Sequence, residues 1–210
     1  MPTFPVDLAA YLGGCARMQQ QFFDLGEGLQ VQNQTAGGEV LRMGGAARLW
    51  RGNLTLYPLR HEDARALHAK LHILRAAGAS FYIGDMTHSG GTFAAQVRAV
   101  NSTTRDIITL QAAPPGRVIA AGDYLAFDYS GRRALHQVVV GKTVDASGNT
   151  GNIEVVPPFR TLPGVGWGVT VGAAKCRAVM VPGTARVGTS NIVATSGVSF
   201  DWTQTLRENP

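Results

Sequence analysis

Apolar residues along this chain recur mostly at every second position, in short runs broken by glycine and proline. The stretch "AAPPGRVIAAGDYLAFDY", residues 112–129, shows the texture: a turn, a short apolar rise, a second turn and an alternating strand. Gly116 and Gly122 stand where the chain must reverse, and Tyr124, Phe127 and Tyr129 supply bulk to a sheet. The same texture runs from Thr87 onward. "GTFAAQVRAVN", "DIITLQA", "GDYLAFDY", "RRALHQVVVGKTVD" and "NIEVVPPF" read as short strands divided by turns, the pattern of a small barrel or sandwich. "DASGNTGN", residues 145–152, carries a hairpin signal. After Phe159 a proline- and glycine-rich hinge, "RTLPGVGWG", leads to two more strands, "KCRAVMVPG" and "VSFDWTQTL". In the second, Val198, Phe200 and Trp202 alternate with Ser199, Asp201 and Thr203.

One segment departs from this period of two. "HEDARALHAKLHILRAAG" places Leu67, Leu71 and Leu74 on one helical face. Glu62 and Asp63 lie in its first turn, where acids suit the helix dipole, and Gly78 is the expected C-terminal cap. Before the helix, Leu54 and Leu56 alternate with Thr55 and Tyr57 in a strand that Pro58 ends, and "SFYIGD" after it reads as another strand. Strand, helix and strand form a unit whose helix lies on a sheet. Upstream, "FPVDLAAYLGGCARMQQQFFDLG" holds at most a short helix, weakened by Gly13 and Gly14. "GLQVQNQTAGGEVLRMGG" reads as two strands joined by a polar loop.

The expected division is a body of residues 1–86 and 166–210, interrupted by an all-β module of residues 87–165. Composition agrees with a β-rich chain: of 210 residues, 26 are glycine and 10 proline, scattered and without tandem repeats. Charged residues make up only 16%, below the usual quarter, which points to a surface partly covered in an assembly. The net charge of +5 is spread singly, with Arg132–Arg133 the adjacent arginine pair of the module, so composition alone does not indicate nucleic-acid binding. "LGGC" at residues 12–15 looks like a lipoprotein box, but no basic residue precedes it and Asp7 interrupts the apolar stretch; secretion is not expected. Cys15 and Cys176 are expected as buried thiols.

Catalytic patterns are sparse. His68 and His72 stand one helical turn apart, but Arg65 occupies the place where an H-E-x-x-H motif beginning at His61 needs its second histidine. A third ligand could come only from His88 or His136, and a solvated helix face is the expected reading. Asp123 is expected to accept backbone N–H bonds in a turn. "GVGWG" lacks the strand–turn–helix setting of a dinucleotide loop. Tyr124, Phe127, Tyr129 and Trp167 are either core residues or a stacking platform of the single-strand-binding kind, with core the expected role. No catalytic, cofactor-binding or metal-binding residues are assigned, and enzymatic activity is not expected.

The succession "ARLWRGNLTLYPL", amphipathic helix, "ASFYIGD", then a strand-rich insert bearing "IAAGDYLAF" and "NIEVVPPFR", resembles the tail proteins of siphophages. The terminal "SGVSFDWTQTL" fits as well. With a β-module inserted after the helix–strand unit, the chain most closely resembles the distal tail protein family; its first 40 residues match nothing there. The resemblance implies a mainly β fold, with a β-sandwich or split-barrel body, one flanking α-helix and an inserted small β-barrel or sandwich. It implies a ring, a homo-hexamer in that family, joining the tail-tube protein above to the baseplate hub or tail tip below. DNA would pass through the lumen without specific binding, and the chain would be a virion protein assembled in the host cytoplasm, with no cofactor and no membrane insertion. The module would project outward with Arg132 and Arg133 peripheral, and residues 32–45 would reach a neighbour as an arm. A tail-tube or tail-terminator protein is the near alternative. A carbohydrate-binding or single-stranded nucleic-acid-binding β-module is the alternative from another class.

Overall fold

The computed structural model describes residues 2–34, 40–44, 47–58, 60–88, 91–190 and 195–207. In chain order the first part holds β1 (Val6–Asp7), α1 (Leu8–Leu12), β2 (Ala16–Leu25), β3 (Leu29–Gln34), β4 (Val40–Gly44), β5 (Trp50–Pro58), α2 (His61–Leu74) and β6 (Phe81–Ile83). The middle part holds β7 (Phe93–Val100), β8 (Ile107–Gln111), β9 (Val118–Ile119), β10 (Tyr124–Tyr129), β11 (Arg132–Val140), β12 (Lys142–Thr143), β13 (Ile153–Val156) and β14 (Gly168–Gly172). The chain ends with β15 (Cys176–Met180), β16 (Arg186–Ser190) and β17 (Thr195–Gln204). The fold is mainly β, as the alternating pattern implies.

Two β-structures account for most of it. The body is a curled seven-stranded sheet in the order β1-β6-β15-β17-β5-β2, with β16 added on β17. Strands β7, β8, β10, β11, β13 and β14 close a barrel. The body core forms because the inward faces of β5 and β17, Leu54 and Leu56 with Val198, Phe200 and Trp202, meet the Leu67, Leu71 and Leu74 face of α2. The barrel has its own interior of Val97, Ile108, Leu110, Phe127, Val138 and neighbouring apolar residues.

Several local expectations are corrected. The stretch expected to hold a short helix also forms β2, a ten-residue strand paired along β5, with a register shift between Met18 and Gln20. That bulge breaks the period of two: Met18 and Phe23 both pack toward the core although they are five residues apart. The short helix is α1, capped by the Asp7 carboxylate on the Ala10 N–H at 3.2 Å and ended by Gly13. Helix α2 stops at Leu74 with Arg75 as its C-cap, so Gly78, at φ +86°, makes the turn beyond it. Glu62 and Asp63 lie in the first turn as expected, while Arg60 is an N-cap without a side-chain hydrogen bond.

The supposed hinge at 160–168 does not lead out of the module. Val97 N–H donates to Trp167 O at 2.9 Å and Gly166 N–H to Val97 O at 2.8 Å, and β14 then pairs with both β7 and β10. The barrel therefore takes strand Gly168–Gly172, which the sequence pattern had given to the body. Asp145 does organise a turn, accepting from Ser147 N–H and Asn149 N–H, but no two-strand hairpin closes there. Its flanking strands pair elsewhere, β12 with β9 and β13 with β11 and β8.

Candidate functional site

The barrel is fastened to the body rather than hung from it. On β10, Leu125, Phe127 and Tyr129 point into the barrel, while Tyr124 and Ala126 join the body core together with Leu135 of β11. The Tyr124 ring meets Trp50 at 5.6 Å and Phe23 at 5.7 Å, edge to face. The Trp50 indole donates to Leu135 O at 2.8 Å. Burial and the neighbouring Asp85 carboxylate raise the Tyr124 phenol well above its ordinary value, so it stays protonated and donates to Asp85 Oδ2 at 3.1 Å.

The residues suspected of chemistry scatter. His68 and His72 stay on α2, the first half-buried and the second exposed. His88 lies at the barrel joint, its Nε2 2.7 Å from Asp123 Oδ1. Asp123 Oδ2 also accepts the Ala120 N–H at 2.8 Å, the turn role read for it. His136 is inside the barrel, stacked on Phe127 at 5.5 Å and tilted against Phe159 at 4.5 Å. Its Nδ1 lies 2.6 Å from the Pro157 carbonyl and must donate there, because a carbonyl can only accept. Burial pushes its pKa down to about 4, so the ring is neutral at pH 7.

Among the described residues no three His, Cys, Asp or Glu side chains gather as a metal-binding group. Cys15 and Cys176 are buried free thiols; burial pushes the Cys176 thiol up to about 12. Tyr124, Phe127 and Tyr129 are buried and Trp167 packs against the barrel core, so they offer no exposed stacking platform. Arg133 is not peripheral. It sits at the joint, its guanidinium 5.2 Å from the Tyr82 ring, donating to Lys175 O at 2.9 Å and to Asp128 at 3.3 Å.

What the surface does present is an open sheet edge. Among the described residues β2 pairs as a strand only with β5. Its Gln21 side chain donates to Gly84 O at 2.9 Å and accepts the Met86 N–H at 2.7 Å, so the segment after β6 touches it there, but no described strand pairs with its other side. Phe22 stands beside it 58% exposed, and Tyr57 on the neighbouring strand is 43% exposed. Both lie on the face opposite the core, with the hydrogen-bonded pair Asn53–Asp201 between strands on that face. Directly after β2, β3 and β4 form an antiparallel ladder of their own. That ladder is the two-stranded reading of "GLQVQNQTAGGEVLRMGG"; the centre of its loop, 35–39, lies outside the described residues. Sequence reasoning missed the edge because the bulge hides β2. The clustered "QQQFF" was the available signal, a polar run ending in paired aromatics.

Compared with known proteins, the chain matches no protein-family model and no curated protein.

Proposed function

We propose that the chain is the repeating subunit of a structural ring in a siphophage-type tail, in the position of the distal tail protein. The observation that carries this is the open β2 edge with Phe22 exposed on it. A long strand edge with an apolar side chain is an aggregation hazard in a monomer, and a closed ring satisfies it by placing a neighbouring subunit against it. The low content of charged residues and the separate β3–β4 ladder that follows β2 in the chain support the same reading. In this role the ring, six copies in the family resembled, joins the tail tube to the baseplate hub. It carries out no chemistry, and DNA passes through its lumen without specific contacts.

Light scattering coupled to size exclusion tests it. The purified chain is expected at the mass of a closed ring, and Phe22→Glu is expected as a monomer with an unchanged melting temperature, since Phe22 contributes little to the folded core. A native chain that stays monomeric at high concentration sinks the proposal.

A further inference from the structure

A cleft of ≈ 200 Å³ opens where the barrel meets the body. The barrel contributes Phe127, Tyr129, His136 and Pro158, and the body contributes Gln204 and Leu206. Two cations complete the lining, Arg48 from the body side and Arg160 from the segment after β13. Among the described residues no aspartate or glutamate lines the cleft and no carboxylate pairs with either guanidinium. Arg48 uses only its Nε, donating to Gly26 O at 3.4 Å, which leaves its terminal nitrogens available.

We propose that this cleft is a docking pocket for a partner polypeptide that presents an acidic side chain next to an apolar one. Charge selects the acid: two guanidiniums, with no carboxylate among the described lining residues, each offer a forked set of donors that carboxylates match in geometry. The aromatic and proline walls select the apolar neighbour. Size argues for a peptide rather than a free small molecule, because the cleft is smaller than the roughly 300–1,000 Å³ of pockets that enclose such ligands. His136 in this wall has spent its Nδ1 proton on Pro157 O, and its Nε2 is buried without a hydrogen-bond partner.

The test uses three capped tetrapeptides, Ala-Leu-Glu-Ala and its Gln and Lys counterparts, titrated into the whole chain. The methyl resonances of Ala134, Leu135 and Leu206 and the His136 ring are read by NMR. Saturable shifts are expected with the Glu peptide and not with the other two. In the double variant Arg48→Glu/Arg160→Glu the Glu peptide is expected to bind at least about tenfold more weakly, and the Lys peptide to bind instead. Both arginines are exposed, so the variant folds; an unchanged melting temperature checks this, and the charge-swapped response to the Lys peptide shows the site intact. Absence of saturable shifts with the Glu peptide, equal shifts with the Gln peptide, or an unaffected double variant each overturns the proposal. Peptide binding is read whatever the oligomeric state, so its failure leaves the ring proposal standing.

Discussion

His136 shows how one side chain couples the barrel interior to pH. The unfolded chain takes up its proton near pH 6.5, whereas the folded ring resists protonation until about pH 4. Its folded pKa is depressed, so the stability it contributes is fully present above pH 6.5 and is lost as pH falls through that window toward 4. The shift corresponds to on the order of 3 kcal/mol. His136→Phe keeps the stacking with Phe127 and Phe159 and removes the titration. It is expected to be less stable than the native chain at pH 7, because Pro157 O loses its donor, with the difference shrinking or reversing by pH 4. Denaturant titrations at both pH values measure this, and a difference that stays constant would show that His136 does not titrate on unfolding. Gly52 works by absence. A Cβ there would stand 1.8 Å from the Phe22 carbonyl oxygen and 2.9 Å from the Trp202 ring. Gly52→Ala must open the β2–β5 ladder and also shift Trp202, and a loss of roughly 3 kcal/mol or more is expected in urea unfolding.

Between elements, the decisive contact is β10–β11 against the body. A strand of a free barrel buries one face; β10 buries nearly every residue, because Tyr124 and Ala126 finish the body core while Leu125, Phe127 and Tyr129 finish the barrel's. Trp50 joins the two with a hydrogen bond spanning 85 positions of sequence. Trp50→Phe preserves most of the ring packing and leaves Leu135 O unpaired. A loss of about 1–2 kcal/mol is expected, with faster hydrogen exchange concentrated in β10 and β11. Uniform exchange changes across α2 and β17 as well would place the effect in the body core instead.

At the scale of the whole molecule, the barrel enters and leaves the body through one neck. A Cβ on Gly172 would lie 2.3 Å from Gly91 O, so the two ends of the barrel segment touch. A short Gly/Ser linker in place of residues 91–172 can therefore bridge the gap at little entropic cost. Excising 87–165, as the texture of the sequence suggested, would instead strand β14 without β7 and β10. Even with the better-placed ends, Trp50 and Phe23 lose Tyr124 and Leu135. The shortened chain is expected to be less stable than the full chain by about 2 kcal/mol or more, with red-shifted tryptophan emission. Equal stability and unchanged emission would mean that the shared core contributes nothing.

Sequence alone determined the faces of the regular elements. The alternation of Leu54 with Leu56, of Val198 with Phe200 and Trp202, and the helical spacing of Leu67, Leu71 and Leu74 are consequences of backbone geometry within a few residues, and each of these side chains is buried. The β-rich class followed from the same local rule. Tertiary structure decided what lies on the second face of each element and which strand sits at an edge. Tyr124 read as a barrel residue and became body core; Gly168–Gly172 read as part of the body and closed the barrel; β2, its period broken by a bulge, became the open edge. The cleft was illegible for the same reason, since Arg48, His136, Arg160 and Gln204 become neighbours only after the barrel docks. Periodicity is set by covalent geometry between near neighbours, whereas pairing, edges and clefts depend on segments distant in sequence meeting in space, and no local pattern records that meeting.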